Sequence, residues 1–144
     1  MPALRWVSKI VHLQCYSEGV TVGYGQTHTL TRDSLLAVVP VGYADGYPLT
    51  LSNRGAVVRL ESDTTPDVTH HAPVLGRVNM DQIVIDLTDA PPALLQSEIR
   101  VVLIHDDPDS PCSVPALAQL ANSSAYEILC RISPRVRRVV INET

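Results

Sequence analysis

The tyrosine in the segment GYADG, residues 42–46, is the first side chain whose type and setting could do chemistry. The apolar run 35–41 before it has the length and β-branched composition of a buried strand. Gly42 and the pair Asp45-Gly46 are typical of a sharp turn, so we expect Tyr43 at the rim of a sheet. A phenol has a pKa of about 10, so it moves protons near neutral pH only where positive charge or hydrogen-bond donors stabilise its anion. Tyrosines also commonly end strands, and this segment by itself fits both roles.

Other residues whose types could support catalysis or metal binding are poorly arranged for it. His70 and His71 are adjacent, so on a strand they point to opposite faces and cannot readily share a metal ion. The segment HDDPDS at 105–110 lacks the glycine and terminal glutamate of a calcium loop, and we interpret it as a solvated turn. The cysteines are odd in number and form no C-x-x-C pattern, which argues against a disulfide framework or a zinc knuckle: Cys15, Cys112 and Cys130. Reduced thiols are typical of a cytoplasmic protein, which is the location we expect.

The elements that must position these residues are mostly strands. Alternating or β-branched apolar runs predict strands at 7–15, 20–22, 35–41, 55–60, 68–78, 82–87, 99–104 and 135–141. Within one of them, Ile83, Ile85 and Leu87 share a face. The segment ESDTTPD at 61–67 is rich in turn formers and predicts the tip of a hairpin.

Helices are predicted only in the last third of the chain. Ser113 can cap a short helix that has Pro115 in its first turn. Ser124 and Glu127 match a capping box that opens a second short helix. Because strands and helices do not alternate, we predict one mostly β domain over residues 1–144, an antiparallel, Greek-key-like β-barrel with two short helices near its C-terminus.

Composition excludes several function classes. A chain of 144 residues with 45% hydrophobic and 18% charged residues is long enough and apolar enough for a folded core. The net charge of −4 argues against nucleic acid as the main partner. No apolar run approaches the ~20 residues that span a membrane, and the first residues lack the apolar region of a signal peptide. We therefore expect neither a nucleic acid nor a membrane partner.

Four segments, taken in order, resemble one enzyme family. They are VGYGQTHT (22–29), PVGYADGYP (40–48), LGRVNMDQ (75–82) and NSSAYEILCRISPRV (122–136). Together with SNRG at 52–55 they resemble the C-terminal domain of alanine racemase, and the pair GYADG and GRVNMDQ is the most specific part of the match. The stretch 61–71 departs from the family by its length, and we interpret it as a surface insertion.

The resemblance implies a pyridoxal-phosphate enzyme that converts L-alanine to D-alanine for peptidoglycan, using one base on each face of Cα. Residue by residue, it implies that Tyr43 is the catalytic base, that the Met80 backbone N–H binds the substrate carboxylate, and that Tyr126 hydrogen-bonds the cofactor phosphate. Two supporting residues remain open. Arg77 is either structural or lines the substrate passage, and Asp81 either ties down its turn or orients its neighbours.

The resemblance also implies a missing partner domain. In the family, an N-terminal (β/α)8 barrel carries the cofactor lysine, and such a barrel needs at least about 200 residues. The only lysine of this chain, Lys9, lies in a predicted strand away from every motif, so we interpret it as solvated and expect no covalently bound cofactor here. Met1-Pro2-Ala3-Leu4 resembles the family's domain junction, so we expect a truncated, inactive chain. The implied partner is the barrel of a second subunit in a homodimer.

Other functions stay open at this stage. A racemase for serine or lysine would carry the same motifs, because side-chain selectivity depends on the missing domain. A non-catalytic β-barrel assembly module describes the same chain without chemistry. Related pyridoxal-phosphate decarboxylases also join a barrel to a β domain, but we expect a cysteine-containing substrate motif in them, and the three cysteines occupy no such context.

Overall fold

The computed structural model describes residues 4–141, so most of the predicted domain junction at Met1-Pro2-Ala3-Leu4 lies outside the described residues. The strands are β1 (Trp6–Lys9), β2 (His12–Tyr16), β3 (Thr21–Val22), β4 (His28–Thr29), β5 (Ser34–Val39), β6 (Val57–Glu61), β7 (His70–Leu75), β8 (Ile83–Asp86) and β9 (Arg100–Ile104). The α-helices are α1 (Pro92–Leu95), α2 (Val114–Leu120) and α3 (Ala125–Cys130), and short 3₁₀ turns occupy Tyr24–Gln26, Tyr43–Asp45 and Leu49–Leu51. Within residues 4–141, no helix is both long enough and apolar enough to cross a bilayer.

Seven of the strands form one antiparallel sheet in the order β1-β9-β6-β7-β8-β5-β2. Its two edge strands, β1 and β2, are consecutive in the chain, and the sequence predicts them as one strand over 7–15. The structure bends this stretch between Lys9 and His12, so that β1 pairs with β9 and β2 pairs with β5. The sheet therefore curls into a half-barrel, which confirms the mostly β, antiparallel, barrel-like fold.

The core lies on the concave face of this sheet. Ile83, Ile85 and Leu87 are fully buried, as their alternation predicts, and they pack with Val58 and Leu60 of β6. The β3–β4 hairpin covers part of the outer face, where Val22 and Leu30 pack against Leu36 in a second, smaller cluster. Burial on both faces of β5 explains why its sequence is a continuous apolar run instead of an alternation.

Both predicted helices form, with one change at the second cap. The Ser113 Oγ accepts a hydrogen bond from the Ala116 N–H at 3.3 Å, and the Ser124 Oγ accepts one from the Glu127 N–H at 3.2 Å. The Glu127 carboxylate does not return the bond as a capping box requires. It accepts from the Ser123 hydroxyl at 2.7 Å and pairs with Arg131 at 2.8 Å, so one partner before the helix and one at its C-terminal end have replaced the reciprocal bond.

The strand predicted at 135–141 is wrong. This segment has no strand pairing, and Val139, Val140 and Ile141 are exposed. The reason lies in Arg138, whose guanidinium donates to the carbonyl groups of Ile132, Ser133 and Val136. These bonds tie the segment to the end of α3, and no strand within residues 4–141 pairs with it.

Candidate functional site

An open cleft of about 620 Å³ lies where β5 ends and the turn between β7 and β8 begins. Its walls include Tyr24, Tyr43, Arg77, Met80 and Asp81. Four of the five site residues predicted from the sequence are thus in one cleft, and Tyr126 is not among the lining residues. Tyr24 has no predicted role from the sequence.

The turn that carries Tyr43 is fixed by its own backbone. The Gly42 N–H donates to the Asp45 carboxylate at 3.0 Å, and the Asp45 N–H donates back to the Gly42 carbonyl at 3.0 Å. Gly46 closes the turn with a φ of 105°, a conformation that favours glycine. The Tyr43 side chain is 48% exposed at the rim of the sheet, as predicted.

Two loops meet at Gly42. The Tyr43 N–H donates to the Asn79 carbonyl at 3.0 Å, and the Ala44 N–H donates to the Met80 carbonyl at 2.9 Å. A Cβ atom on Gly42 would lie 2.5 Å from the Asp81 nitrogen, closer than real Cβ contacts. Glycine is therefore required at position 42 for the close approach that holds Tyr43 and Met80 in a constant relation.

The Met80 amide is available within the cleft. Its carbonyl is occupied by Ala44, but no hydrogen bond described within residues 4–141 uses its N–H. The flanking backbone is held in place, because the Asn79 N–H donates to the Gln82 carbonyl and the Val78 N–H donates to the Ser52 hydroxyl. A positioned and unpaired N–H can bind an anionic oxygen without moving.

Tyr24 is the side chain that sequence reasoning missed. Its ring is 75% exposed, and the guanidinium carbon of Arg77 lies 6.0 Å from the ring centroid, within the range of a cation–π contact. Gly23 and Gly76, both with positive φ, let the two loops touch, since a Cβ on Gly76 would lie 2.9 Å from the Val22 carbonyl oxygen. The signal was present, because Tyr24 follows a glycine in a turn as Tyr43 does.

The comparison with known families now decides the classification. The sequence profile described as "Alanine racemase, C-terminal domain" matches residues 3–140, nearly the whole chain. The chain belongs to the alanine racemase C-terminal domain family.

Individual relatives agree with this classification. The alanine racemase of Halothermothrix orenii is 41% identical over 142 residues, which are 99% of this chain and 35% of the relative. The alanine racemase structure from Streptomyces coelicolor superposes with a TM-score of 0.78 at 32% identity, covering 96% of this chain and 33% of that one. A histidine racemase structure from Leuconostoc mesenteroides gives a TM-score of 0.79 at 27% identity, covering 99% and 35%. The chain thus spans about a third of the length of these racemases.

Tyr126 is exposed and does not line the cleft. It is in the first turn of α3 and 81% exposed. The end of α3 is nevertheless tied to the Tyr43 turn, because the Ser133 N–H donates to the Asp45 carbonyl at 2.9 Å. A Cβ on Gly46 would lie 2.6 Å from the Ile132 Cα, so close contact fixes α3 relative to the cleft.

The residues that line the cleft limit which groups it can hold. Arg77 is the cation among its lining residues, and no lysine is among them. Lys9 is exposed on β1, opposite Arg100 of β9. The described residues therefore do not fit the covalent attachment of a pyridoxal cofactor, and no group of three potential metal ligands occurs among them. The same residues do fit the binding of a carboxylate and the transfer of a proton.

Two supporting residues can be compared with their predictions. Arg77 lines the cleft, and its place along a substrate passage stays a prediction. The Asp81 side chain is exposed, and within residues 4–141 no hydrogen bond of its carboxylate is described. The Asn79–Gln82 backbone bond holds this turn instead, so the structure offers no tie through Asp81.

Proposed function

We propose that this chain is the C-terminal domain of a pyridoxal-phosphate-dependent alanine racemase and that it completes the active site of a partner subunit. The observation that carries the proposal is the cleft that joins two exposed phenols, one guanidinium and the unpaired Met80 amide. The product would be D-alanine for peptidoglycan. Three free cysteines support the predicted cytoplasmic location.

Substrate binding is assigned to the Met80 backbone N–H. Alanine presents a carboxylate, and charge-assisted hydrogen bonds to such groups are short and strong. The Met80 side chain, 56% exposed, contributes only contact area. Because Ala44 holds the Met80 carbonyl, the amide that receives the carboxylate and the turn that carries Tyr43 move as one unit.

The base is assigned to a tyrosine of this cleft, and two tyrosines compete for the role. Tyr43 is the prediction from the family motif. Tyr24 has a cation beside it, because the Arg77 guanidinium lies over its ring, and no comparable contact of Tyr43 is described within residues 4–141. We favour Tyr24 as the proton-transfer group and Tyr43 as the wall that orients the substrate.

The cofactor belongs to the other domain in this proposal. A racemase structure from Bartonella henselae is described with covalently bound pyridoxal phosphate, while the cleft of this chain offers no amine for that bond. When bound, the cofactor spreads the negative charge left on Cα after the proton departs. Tyr126, exposed and held by α3, is proposed to donate a hydrogen bond to the cofactor phosphate across the domain boundary.

A broader amino-acid racemase is the second candidate. The histidine racemase of Leuconostoc mesenteroides superposes as well as the alanine racemases do, so the domain itself accommodates different substrates. The cleft of this chain is open, so its described lining gives no closed pocket around a substrate side chain. Turnover of serine, lysine or histidine at a rate equal to alanine would favour this candidate.

The test uses a full-length enzyme in which this domain follows the N-terminal part of the Halothermothrix orenii racemase. Replacing the base with phenylalanine should lower kcat by ~10²–10⁴-fold and remove Cα proton exchange with solvent for one enantiomer preferentially. We expect this result for Tyr24→Phe and a smaller loss, mainly in KM, for Tyr43→Phe. Tyr16→Phe, outside the cleft, is the matched control. Near-normal racemisation by both cleft variants would refute the tyrosine-base proposal.

The shared active site has its own test. Subunits carrying Tyr24→Ala and Tyr43→Ala are mixed with subunits that lack the cofactor lysine. Hybrid dimers should regain activity, because each contains one complete site. No recovery, with hybrids verified by mass, would mean that the tyrosines serve their own chain. A folded but inactive graft that retains the cofactor would favour the assembly-module alternative.

The 144-residue chain itself should neither racemise alanine nor bind pyridoxal phosphate covalently. The reason is the position of Lys9, exposed on β1 and outside the cleft. Borohydride treatment with the cofactor, followed by peptide mass spectrometry, checks this expectation. A stoichiometric pyridoxyl adduct on Lys9 would contradict it.

A further inference from the structure

The motif SNRG at residues 52–55 has no part in the function proposed so far, although it directly follows a turn that borders the cleft. In that turn, Leu49–Leu51, Leu49 lines the cleft and Leu51 is fully buried. The Ser52 N–H and the Ser52 hydroxyl both donate to the Leu49 carbonyl, at 3.1 and 2.6 Å. The start of the motif is therefore fixed both to the core and to one wall of the cleft.

Ser52 holds the loop that carries Met80. The Ser52 hydroxyl oxygen accepts a hydrogen bond from the Val78 N–H at 2.8 Å, across 26 positions of sequence. Val78 is 2% exposed, so its N–H depends on Ser52 for a hydrogen bond. Met80 follows two residues later and lines the cleft. Ser52 thus fixes the backbone that presents the Met80 amide.

Asn53 holds the loop that carries Tyr24. The Asn53 side-chain nitrogen Nδ2 donates to the Thr27 hydroxyl oxygen at 3.0 Å, also across 26 positions. Thr27 directly follows the Tyr24–Gln26 turn. Asn53 itself has a φ of 55°, a left-handed conformation in which asparagine is enriched. Position 53 therefore favours asparagine for two reasons, its backbone angle and its amide donor.

We propose that Ser52 and Asn53 are positioning residues, which hold the Met80 amide and the Tyr24 phenol at a constant separation. Because adjacent residues bind the two loops, movement of one loop relative to the other strains one of the two hydrogen bonds. Among the described residues that line the cleft, neither Ser52 nor Asn53 occurs, so both act through the loops that they hold. The kinetic consequence of this assignment rests on the proposed function, whereas the two loop contacts do not.

Amide hydrogen exchange in the 144-residue chain tests the Ser52 bond without any racemase activity. Ser52→Ala should reduce the protection of the Val78 amide by at least ~5-fold, because a buried N–H loses its acceptor. Ser52→Thr keeps a hydroxyl and should restore most of the protection. Ser97→Ala is the matched control, since the Ser97 hydroxyl also donates to the carbonyl three residues earlier, at 2.7 Å, and it should leave Val78 unchanged. Full protection of Val78 in Ser52→Ala would overturn the role of Ser52.

Backbone order parameters from NMR relaxation test the Asn53 bond in the same chain. Asn53→Gly removes the amide group while allowing the same φ. The order parameters of residues 24–27 should then fall by at least ~0.1 from the value of about 0.85 that is typical of rigid backbone. Asn122→Gly is the matched control, because Asn122 also has a positive φ, 52°, and does not line the cleft. An equal response to both variants, or none to Asn53→Gly, would overturn the role of Asn53.

Kinetics of the fusion to the Halothermothrix orenii N-terminal part separate positioning from simple structural support. Ser52→Ala should mainly raise KM, because it loosens the carboxylate-binding amide, and Asn53→Gly should mainly lower kcat, because it loosens the assigned base, each by ~2–10-fold. Ser52→Thr should return KM to within ~2-fold of wild type. Partial unfolding would instead lower kcat in proportion to the folded fraction and leave KM unchanged in both variants.

The outcomes also separate this assignment from the proposed function. Wild-type kcat and KM in both variants, or the same change in both, would refute the positioning roles. An inactive wild-type fusion would count against the proposed function, and the exchange and relaxation measurements on the 144-residue chain would still decide whether Ser52 and Asn53 hold the two loops.

Discussion

The cleft and the Glu61 cluster (Glu61 with Arg5, Arg59, Arg100 and His105) are held together by different forces. The cleft depends on backbone approach, in which Gly42 lets two loops touch and the Asp45 carboxylate closes the turn. The Glu61 cluster depends on charge. Close backbone packing therefore determines the geometry of the cleft, whereas pH and salt concentration act mainly on the stability of the Glu61 cluster.

The Glu61 cluster gathers residues from two strands, β6 and β9, and two loops onto one carboxylate. Arg59 lies 2.9 Å and Arg100 3.6 Å from Glu61, Arg5 makes a closer ion pair, and His105 lies 4.0 Å away. Burial by itself would raise the pKa of Glu61, but the ion pairs with Arg5 and Arg59 more than offset it and hold that pKa below its ordinary value. The carboxylate is thus stabilised in its charged form by the folded state.

The largest expected effect is that of Gly42→Ala. The new methyl group would overlap the backbone of Asn79 to Asp81, so we expect a loss of about 3 kcal/mol or more in the free energy of unfolding. Urea denaturation measures it. Gly55→Ala is the control, because its Cβ would meet open space at a φ of 75° and should cost only about 1–2 kcal/mol of backbone strain. Equal losses would mean that close approach does not hold the cleft.

Glu61→Gln should have the next largest effect, a loss of about 1–2 kcal/mol at neutral pH. A carboxylate whose pKa is lowered in the folded state adds stability above its ordinary pKa, and that stability is lost as pH falls through the folded value. The difference between wild type and variant should therefore shrink as pH falls below the ordinary pKa of a glutamate, and it should also shrink in high salt. Glu18→Gln, at an exposed position, should change stability by less than about 0.5 kcal/mol. A constant difference across pH would contradict the role of charge.

Tyr47→Phe should have the smallest effect, and in the opposite direction. Tyr47 is fully buried, and its hydroxyl has no hydrogen-bond partner among the described residues. Removing an unpaired hydroxyl should raise the free energy of unfolding by about 0.5–1 kcal/mol, while the exposed Tyr43→Phe should change it by less.

The pH dependence of Tyr47 gives a second measurement. Burial, and to a smaller degree Cys112, raises the pKa of Tyr47 above its ordinary value. A raised pKa means that the neutral phenol adds stability below the ordinary value of about 10, which is lost as pH rises beyond it. Wild type should therefore lose stability in alkaline solution faster than Tyr47→Phe. If the free energies of unfolding of wild type and Tyr47→Phe changed with pH in parallel, the Tyr47 hydroxyl would have a hydrogen-bond partner.

Local features of the fold were predictable because their causes are adjacent in sequence. The turn at 42–46 requires Gly42, Asp45 and Gly46 within five positions. In both helix caps, a serine hydroxyl accepts a hydrogen bond from the backbone N–H three residues later. The buried face of β8 follows from simple alternation. Such signals operate before any long-range contact forms.

Features that depend on distant residues were not predictable. The bend between β1 and β2 exists because β1 pairs with β9 while β2 pairs with β5. The segment 135–141 forms no strand because Arg138 binds the end of α3. The contact between Arg77 and Tyr24 joins residues more than fifty positions apart, so the family motif pointed to Tyr43 without revealing Tyr24 as a competitor.

The arrangement of the two edge strands also governs how this domain can fold. Trp6 of β1 pairs opposite Ile104 of β9, so the first strand can join the curled sheet only after the last strand is present. Contacts this distant in sequence carry a high loop-closure entropy and slow the search for the native topology. During synthesis, β1 leaves the ribosome long before its neighbour, and its apolar side chains stay available to other chains until β9 arrives.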